Sequence, residues 1–177
     1  NVVSLAGNIG YVPRSRTASS AQISFDVTTS VNTPTLTLKA GIVCVGSAND
    51  STYTFAIPED VSANVVNGTA SFTNINVFQG IFLTKQFLYD GSLDQRFILN
   101  NSFIDTSTIK VYISTSSNTR GLEYTLSENI FNVNKDSRIF FINEVQDEKY
   151  ELRFGDGIIG KKLGEDGDGD YITVDYI

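Results

Sequence analysis

The sequence predicts a mainly β protein built from antiparallel, sandwich-like sheets. Short runs that alternate apolar and polar residues recur along most of the chain, and clusters of Asn, Asp and Gly separate them. No long segment shows the 3.6-residue periodicity of an amphipathic helix. Hydrophobic residues make up 41% of the chain and charged residues 19%, a balance typical of a folded globular domain rather than a disordered segment.

The ends of the chain are expected to differ from its middle. Residues 2–11 predict the last turns of a short N-terminal helical segment with Gly10 as C-cap. The predicted organisation is a helical stub and connector (1–20), a β domain (21–100) and a second β domain (101–177). Because the sequence starts without methionine and stops within a strand pattern at Ile177, we expect a fragment of a larger chain.

Strand patterns can be assigned one after another from residue 21 onward. They cover 22–29, 35–38, 41–46, 53–57, 61–66, 69–77 with a β-like continuation to 83, 95–99, 109–114, 137–145, 150–154 and 171–177. Asn67-Gly68 tolerates the positive φ angles of a type I′ turn and predicts a hairpin between the strands on either side. The last two strands are predicted to form a hairpin with an elaborate tip that closes a sheet.

Composition excludes several classes of function. A net charge of −7 argues against binding of nucleic acid or an anionic membrane, and no apolar run approaches the roughly 20 residues of a membrane span. The chain has no histidine, so neither a Ser/His/Asp triad nor a histidine-containing zinc site can form. The single cysteine, Cys44, excludes an internal disulfide and is expected to be a small buried residue of a strand.

A glycine motif near the C-terminus invites a nucleotide-binding interpretation. Gly155, Gly157 and Gly160 satisfy G-x-G-x-x-G, and Asp175 follows at about the distance of a ribose-binding acid. A dinucleotide site also needs a helix that starts at the last glycines and directs its amides at the pyrophosphate. Residues 161–170 are rich in acids and glycines, which disfavours a helix and places negative charge there. We therefore predict no cofactor.

The same loop contains alternating carboxylates at Asp166, Asp168 and Asp170. An EF-hand calcium loop begins in this way but requires glycine at its sixth position and glutamate at its twelfth. This chain has Tyr171 and Ile177 at those positions, so the EF-hand pattern fails. A loose surface calcium site and a solvated, turn-forming loop are the two alternatives.

The order of these features resembles the baseplate J-like family of contractile-tail phages, and within it the wedge subunits of T-even-type phages. The resemblance runs nearly end to end. It is carried by the segments 5–11, 21–27, 38–41, 70–80, 97–101, 104–111, 153–160 and 169–176, and above all by F-G-D-G-x-x-G at Phe154, Gly155, Asp156, Gly157 and Gly160.

The resemblance implies a structural, non-enzymatic role in a virion tail baseplate. Such subunits join wedges into a ring around a hub, so the expected partners are a second copy of the chain, as a homodimer, and other wedge proteins. No nucleic acid, membrane, small-molecule substrate or metal is implied. The F-G-D-G-x-x-G residues are expected to be structural, with the glycines adopting positive φ and Asp156 capping neighbouring amides. The alternative class is a β-sandwich adhesin or receptor-binding module, which composition alone does not separate.

Overall fold

The computed structural model describes residues 15–128, 131–164 and 169–177. The prediction of a mainly β fold with antiparallel sheets is confirmed, with only two short 3₁₀ turns in these ranges, at Thr106–Thr108 and Gln146–Glu148. The predicted N-terminal helix at 2–11 lies outside the described residues. None of the helical segments described is long and apolar enough to cross a membrane.

The strands divide between two sheets. In chain order they are β1 (Ser20–Thr28), β2 (Thr35–Leu38), β3 (Gly41–Ala48), β4 (Ser51–Ile57), β5 (Val61–Val66), β6 (Thr69–Gln79), β7 (Leu83–Leu88), β8 (Phe97–Leu99), β9 (Lys110–Ser114), β10 (Leu122–Leu126), β11 (Ile139–Glu144), β12 (Tyr150–Phe154) and β13 (Tyr171–Tyr176).

The chain forms two compact units. The six-stranded unit comprises Thr17–Leu83 with Tyr176–Ile177, and the seven-stranded unit comprises Thr84–Asp175 with the segment that ends at Arg16. Residue 100 therefore lies inside the seven-stranded unit. The division of the sequence into 1–20, 21–100 and 101–177 stays a prediction about domains.

The six-stranded unit is organised around β6. The strand order is β2-β5-β6-β4-β3, and β1 pairs with β6 along nearly its whole length. Ile75 opposes Ile23 but Phe72 opposes Phe25, so β6 carries one extra residue at this point. Asn74 takes up that residue with a φ of 55° and donates its amide to Ser24 Oγ at 2.9 Å. The bulge keeps the apolar side chains of both halves of β6 in the core.

The core of this unit consists of buried apolar residues from facing strands. Phe72 and Phe25 stack with ring centroids 5.2 Å apart. The buried members are Ile57, Ala70, Phe72, Ile75 and Val77, and the partly buried residues around them include Ile23, Val27, Leu36, Val43 and Val65. Burial of this apolar area, at about 25 cal/mol per Å², is the main term that stabilises the unit.

The hairpin between β5 and β6 is confirmed. Val66 pairs with Thr69, and the two residues between them, Asn67 and Gly68, have φ angles of 51° and 76°. Two successive positive φ angles define the type I′ turn that matches the twist of the strands.

The seven-stranded unit has the order β7-β13-β9-β10-β11-β12-β8. β13, β9 and β10 pair antiparallel, as do β11, β12 and β8, and the parallel pairing of β10 with β11 joins these two groups. Phe87 of β7 and Phe97 of β8 come from opposite ends of this order, yet their ring centroids are 5.6 Å apart. The sheet therefore curls enough to bring a side chain of each of its two end strands into contact.

The predicted hairpin between β12 and β13 is wrong. The two strands belong to the same sheet, but β9, β10 and β11 lie between them. The connection from residue 155 to residue 170 is much longer than the two to five residues of common hairpin loops. It is also hydrogen bonded to the segment before β11, because Gly160 N donates to Asn134 O and Lys161 N donates to Ser137 O. Because of these bonds, the chain after β12 runs toward the segment before β11 instead of turning back to pair with β12.

Cys44 is less buried than the sequence predicted. It is a free thiol at intermediate exposure. The reason is its position on β3, which is the last strand of its sheet. An edge strand has a neighbour on one side only, so apolar residues there keep more contact with solvent.

Candidate functional site

The F-G-D-G-x-x-G residues form one tight turn directly after β12. Gly157 N donates to Gly160 O at 3.1 Å and closes the turn. Gly157 and Gly160 have φ angles of 88° and 80°, in the left-handed region that favours glycine. At these two positions the glycine provides backbone conformation.

Gly155 has a different role from the one the sequence predicted. It is not among the residues with positive φ, so the expectation of a left-handed backbone there is wrong. A Cβ atom at Gly155 would instead lie 2.2 Å from the carbonyl carbon and 2.3 Å from the carbonyl oxygen of Gly160. The glycine is needed because two backbone segments cross at contact distance.

The turn is anchored to a second, distant segment. Gly160 is buried, and a Cβ atom there would lie 2.9 Å from the Ile139 side chain. Its amide donates to Asn134 O at 3.0 Å, and the next amide, of Lys161, donates to Ser137 O at 2.8 Å. The approach to β11 therefore forms one wall of the site.

Asp156 fixes the tip of the turn. Its Oδ1 accepts hydrogen bonds from the amides of Ile158 and Ile159, each at 2.9 Å. The amides of Ile159 and Ile158 stabilise the carboxylate and hold the pKa of Asp156 below its ordinary value of 3.8. The acid is thus charged at neutral pH and serves as an acceptor for backbone donors that the tight turn leaves without strand partners.

The capped tip exposes two isoleucines to solvent. Ile158 is 77% exposed and Ile159 is 37% exposed. Because Asp156 bonds both amides and Gly157 bonds across to Gly160, the backbone that carries these side chains is held in one conformation. Preorganised apolar groups of this kind lose little entropy when a partner covers them. The arrangement is suited to contact rather than to chemistry.

Phe154 connects the turn to the core of the seven-stranded unit. Its ring meets the rings of Phe97 and Tyr124 edge to face, with centroid distances of 5.5 and 6.0 Å. Edge-to-face pairs contribute about 0.5–1.5 kcal/mol each beyond the area they bury. Phe154 therefore fixes the base of the turn, while Asp156 fixes its tip.

The described residues do not give the glycine motif the surroundings that a dinucleotide site needs. Among the described residues after the motif, 161–164 form no helix, so no helix N-terminus faces the turn. Asp175 is 4% exposed and points elsewhere: its Oδ2 accepts from Arg120 Nη2 and its Oδ1 accepts from Thr84 Oγ1, both at 2.6 Å. Arg120 also lies over the Tyr112 ring at 4.2 Å. Asp175 is a structural acid of the sheet.

The candidate calcium loop falls largely outside the described residues. Asp166 and Asp168 are not described, and of the three acids only Asp170 is. Its carbonyl oxygen accepts a hydrogen bond from Tyr89 N at 2.7 Å. Across the described ranges, no group of three or more potential metal ligands comes together. The calcium interpretation stays untested.

A cavity of about 390 Å³ opens in the six-stranded unit where β5 separates from β6. The two strands pair only at Val65 and Val66, and the part of β5 before these residues turns to pair with β2. The polar residues of its walls are Ser62, Asn64, Thr69, Ser71 and Thr73, and none of the described lining residues is charged. Among the described residues that line the cavity, none has a side chain that serves as a general acid or base at neutral pH.

Sequence reasoning missed the partners that hold these residues in place. The residue types of Asn134 and Ser137 did not identify them as partners of the turn, since it is their backbone carbonyls that accept hydrogen bonds from Gly160 and Lys161. The sequence also did not identify Arg120 as the partner of Asp175, because the two residues are 55 positions apart. Such contacts follow from strand order, which the alternation pattern does not contain.

Comparison with known proteins gives one distant relationship that covers the whole chain. Baseplate wedge protein gp6 of Enterobacteria phage T4 is 25% identical over 182 aligned residues, which include 100% of this chain and 26% of the phage protein. The chain thus spans about a quarter of the length of that relative. No family model matches the chain. The similarity relates the chain to phage baseplate proteins.

Proposed function

We propose that this chain is part of a structural subunit of a contractile-tail baseplate, where it helps to join wedges into the ring around the hub. The observation that carries the proposal is the similarity to a baseplate wedge protein, which extends over the full length of the chain. The order of sequence features that resembles baseplate J-like wedge subunits supports the same role. The proposed location is the virion tail.

The architecture is compatible with a part whose task is rigid placement. The F-G-D-G-x-x-G turn depends on backbone contacts and on one carboxylate that caps two amides, and its tip exposes two apolar side chains to solvent. We assign the residues Phe154, Gly155, Asp156, Gly157 and Gly160 a structural role, and Ile158 and Ile159 the role of a contact with another wedge protein. Apolar anchors at a preorganised centre are the common carriers of binding energy in interfaces.

The proposed role is non-enzymatic and involves no cofactor, nucleic acid, membrane or small-molecule substrate. The proposed partners are a second copy of the chain and other wedge proteins.

Phage genetics tests the proposal. Ile158→Asp together with Ile159→Asp places two charges on the apolar tip of the turn. In phage that carry these changes in the polypeptide containing this chain, we expect tails that lack complete baseplates in electron micrographs and a fall in infectious titre. Leu93→Asp is the matched control, because Leu93 is fully exposed in a loop of the same unit.

Two results would overturn parts of this assignment. Normal tails and titre with the double variant would remove the contact role of the tip. Phage that assemble normal baseplates when the polypeptide itself is absent would overturn the structural role and favour an adhesin, which is then tested by saturable glycan binding.

A further inference from the structure

The hairpin of β3 and β4 extends beyond the sheet to which it belongs. β4 pairs with β6 only at Phe55 and Ala56, and β3 pairs with β4 alone among the described strands. Between Gly46 and Tyr53 the two strands therefore have only each other as described sheet neighbours. An isolated two-stranded ribbon is marginally stable in water, and a third strand stabilises it. The ribbon therefore has room for one more strand beside β3.

The direction of the backbone groups on β3 follows from the pairing. Gly80 N donates to Thr54 O at 2.9 Å, so the backbone groups of Thr54 face away from β3. Val45 is the antiparallel partner of Thr54 and must face away from β4 in the same way. Because the direction alternates along a strand, Ser47 also presents its N–H and C=O at the open edge. Val45 and Ser47 together thus present two N–H and two C=O groups that another strand can pair with.

The same edge is apolar and carries no charge. Val45 is 61% exposed and Ile42 is 58% exposed. The sequence from Ala40 to Asn49 contains no charged residue, although the chain as a whole has a net charge of −7. Natural edge strands usually carry Lys, Pro or a strong twist that discourages pairing. β3 has one bulge, between Ile42 and Cys44, and a regular stretch beyond it.

We propose that β3 pairs antiparallel with β3 of a second copy of this chain, about a twofold axis that passes through Gly46. This register places Val45 opposite Ser47 of the second copy and Ser47 opposite its Val45, so both residues satisfy their outward backbone groups. It sets no charged residue opposite one of like sign, which would destabilise the pairing. A twofold interface uses the same patch on both copies, as this one does.

This inference names β3 as the surface through which two copies of the chain pair, and it rests on the proposal above that a second copy is a partner. The alternative is that a strand of a different protein pairs with β3. Such a strand would not need the register in which Val45 lies opposite Ser47 of a second copy. The interface involves one short strand from each copy, and interfaces that small are weak in dilute solution. In an assembled ring the copies are held close together, which raises their effective concentration.

Disulfide trapping tests the register. Two variants are made in a Cys44→Ala background, Val45→Cys and Ser47→Cys, and are oxidised with glutathione disulfide either alone or mixed. Hydrogen-bonded antiparallel partners have Cα atoms about 5.5 Å apart, within the roughly 4.4–6.8 Å that a disulfide spans. We expect covalent dimers in the mixture at least tenfold above either variant alone. No dimer in the mixture, or equal dimer in all three samples, overturns the proposal.

A charge variant supplies an independent measurement. Val45→Lys introduces a charge at the open edge, and we expect the dimer dissociation constant from analytical ultracentrifugation to rise at least tenfold. Val31→Lys is the control, since Val31 is 67% exposed in a loop of the same unit, and it should leave the constant unchanged. A wild-type chain that stays monomeric at every concentration, or equal constants for the two variants, overturns the inference. Such a result leaves the baseplate role intact, because that role is decided in phage.

Discussion

The Asn67–Gly68 turn and the Gly155–Gly160 turn both follow an alternating strand and both depend on glycine, yet they organise the chain in opposite ways. At Asn67–Gly68 the next strand returns at once, and Val66 pairs with Thr69. At Gly155–Gly160 the next strand, β13, is separated from β12 by three other strands of the sheet. The first turn is determined by two residues, whereas the second is determined by backbone contacts with distant segments.

The physical difference is the source of each turn's hydrogen bonds. The type I′ turn needs only positive φ angles, which Asn and Gly provide locally. The later turn uses Gly155 for a backbone crossing and Gly160 for a bond to Asn134. A substitution in the Asn67–Gly68 turn should therefore destabilise only the strands next to it. A substitution in the Gly155–Gly160 turn should destabilise the whole seven-stranded unit.

The largest effect is expected for Gly155→Ala. The new Cβ would lie 2.2–2.6 Å from three backbone atoms of Gly160, which cannot move aside as a side chain can. Overpacking typically costs about 1–3 kcal/mol, and we expect the upper end of that range or more in the free energy of unfolding measured with urea. Gly46→Ala is the control, because its Cβ would meet only the Phe55 ring at 3.4 Å. Equal losses for the two variants would contradict the backbone-crossing account.

Asp175→Ala is expected to have the next largest effect. It removes the carboxylate of β13 that accepts hydrogen bonds from Arg120 and Thr84. Breaking a buried pair costs about 3–5 kcal/mol, but the Arg120 side chain is 39% exposed and can rehydrate, so we expect about 2 kcal/mol. Asp26→Ala, on an exposed strand position, should change the free energy of unfolding by less than about 0.5 kcal/mol. A neutral result for Asp175→Ala would show that register alone fixes β13.

Gly68→Ala should have a smaller effect that stays within the six-stranded unit. Gly68 has a φ of 76°, and a left-handed conformation costs a residue with a Cβ about 1–2 kcal/mol. Hydrogen exchange should show faster opening of β5 and β6 and unchanged protection of β11 and β12. Asn67→Gly keeps the turn and should be nearly neutral. Loss of protection at β11 in the Gly68 variant would contradict the local character of this turn.

Asp156→Asn is expected to have the smallest effect at neutral pH, because the amide oxygen still accepts from Ile158 and Ile159. The pKa of Asp156 is lowered in the folded state, so its stabilising contribution is present above the ordinary pKa of 3.8 and is lost as pH falls through the lowered folded value. The unfolding temperature of the wild type should therefore decrease more steeply below pH 3.8 than that of the Asn variant. Parallel pH profiles would show that the carboxylate does not cap the turn.

The part of the fold that sequence reasoning could predict is the part that depends on neighbours in sequence. Alternation located most of the strands, although not β7, and Asn67-Gly68 located a hairpin, because both signals lie within a few residues. The parallel pairing of β10 with β11 and the separation of β12 from β13 depend on bonds such as Gly160 N to Asn134 O. The sequence contains no pattern that records them.

The candidate site shows the same limit at the level of single residues. The sequence located the F-G-D-G-x-x-G turn and suggested that Asp156 caps amides, an arrangement that the hydrogen bonds to Ile158 and Ile159 now describe. Sequence reasoning supplied the wrong reason for glycine at position 155. Positive φ and a close crossing of two backbone segments both require glycine, so the residue type alone does not distinguish them. Cys44 was expected to be buried, because the sequence did not reveal that β3 is an edge strand.

The structural role in a baseplate is tested most directly by counting this chain in purified contractile tails. Quantitative mass spectrometry of its peptides, measured against a known baseplate component, gives the number of copies per particle. The account predicts a stoichiometric number that is a multiple of the sixfold symmetry of the baseplate, and an even number per wedge if copies pair through β3. Absence of the peptides from the particle would contradict the account.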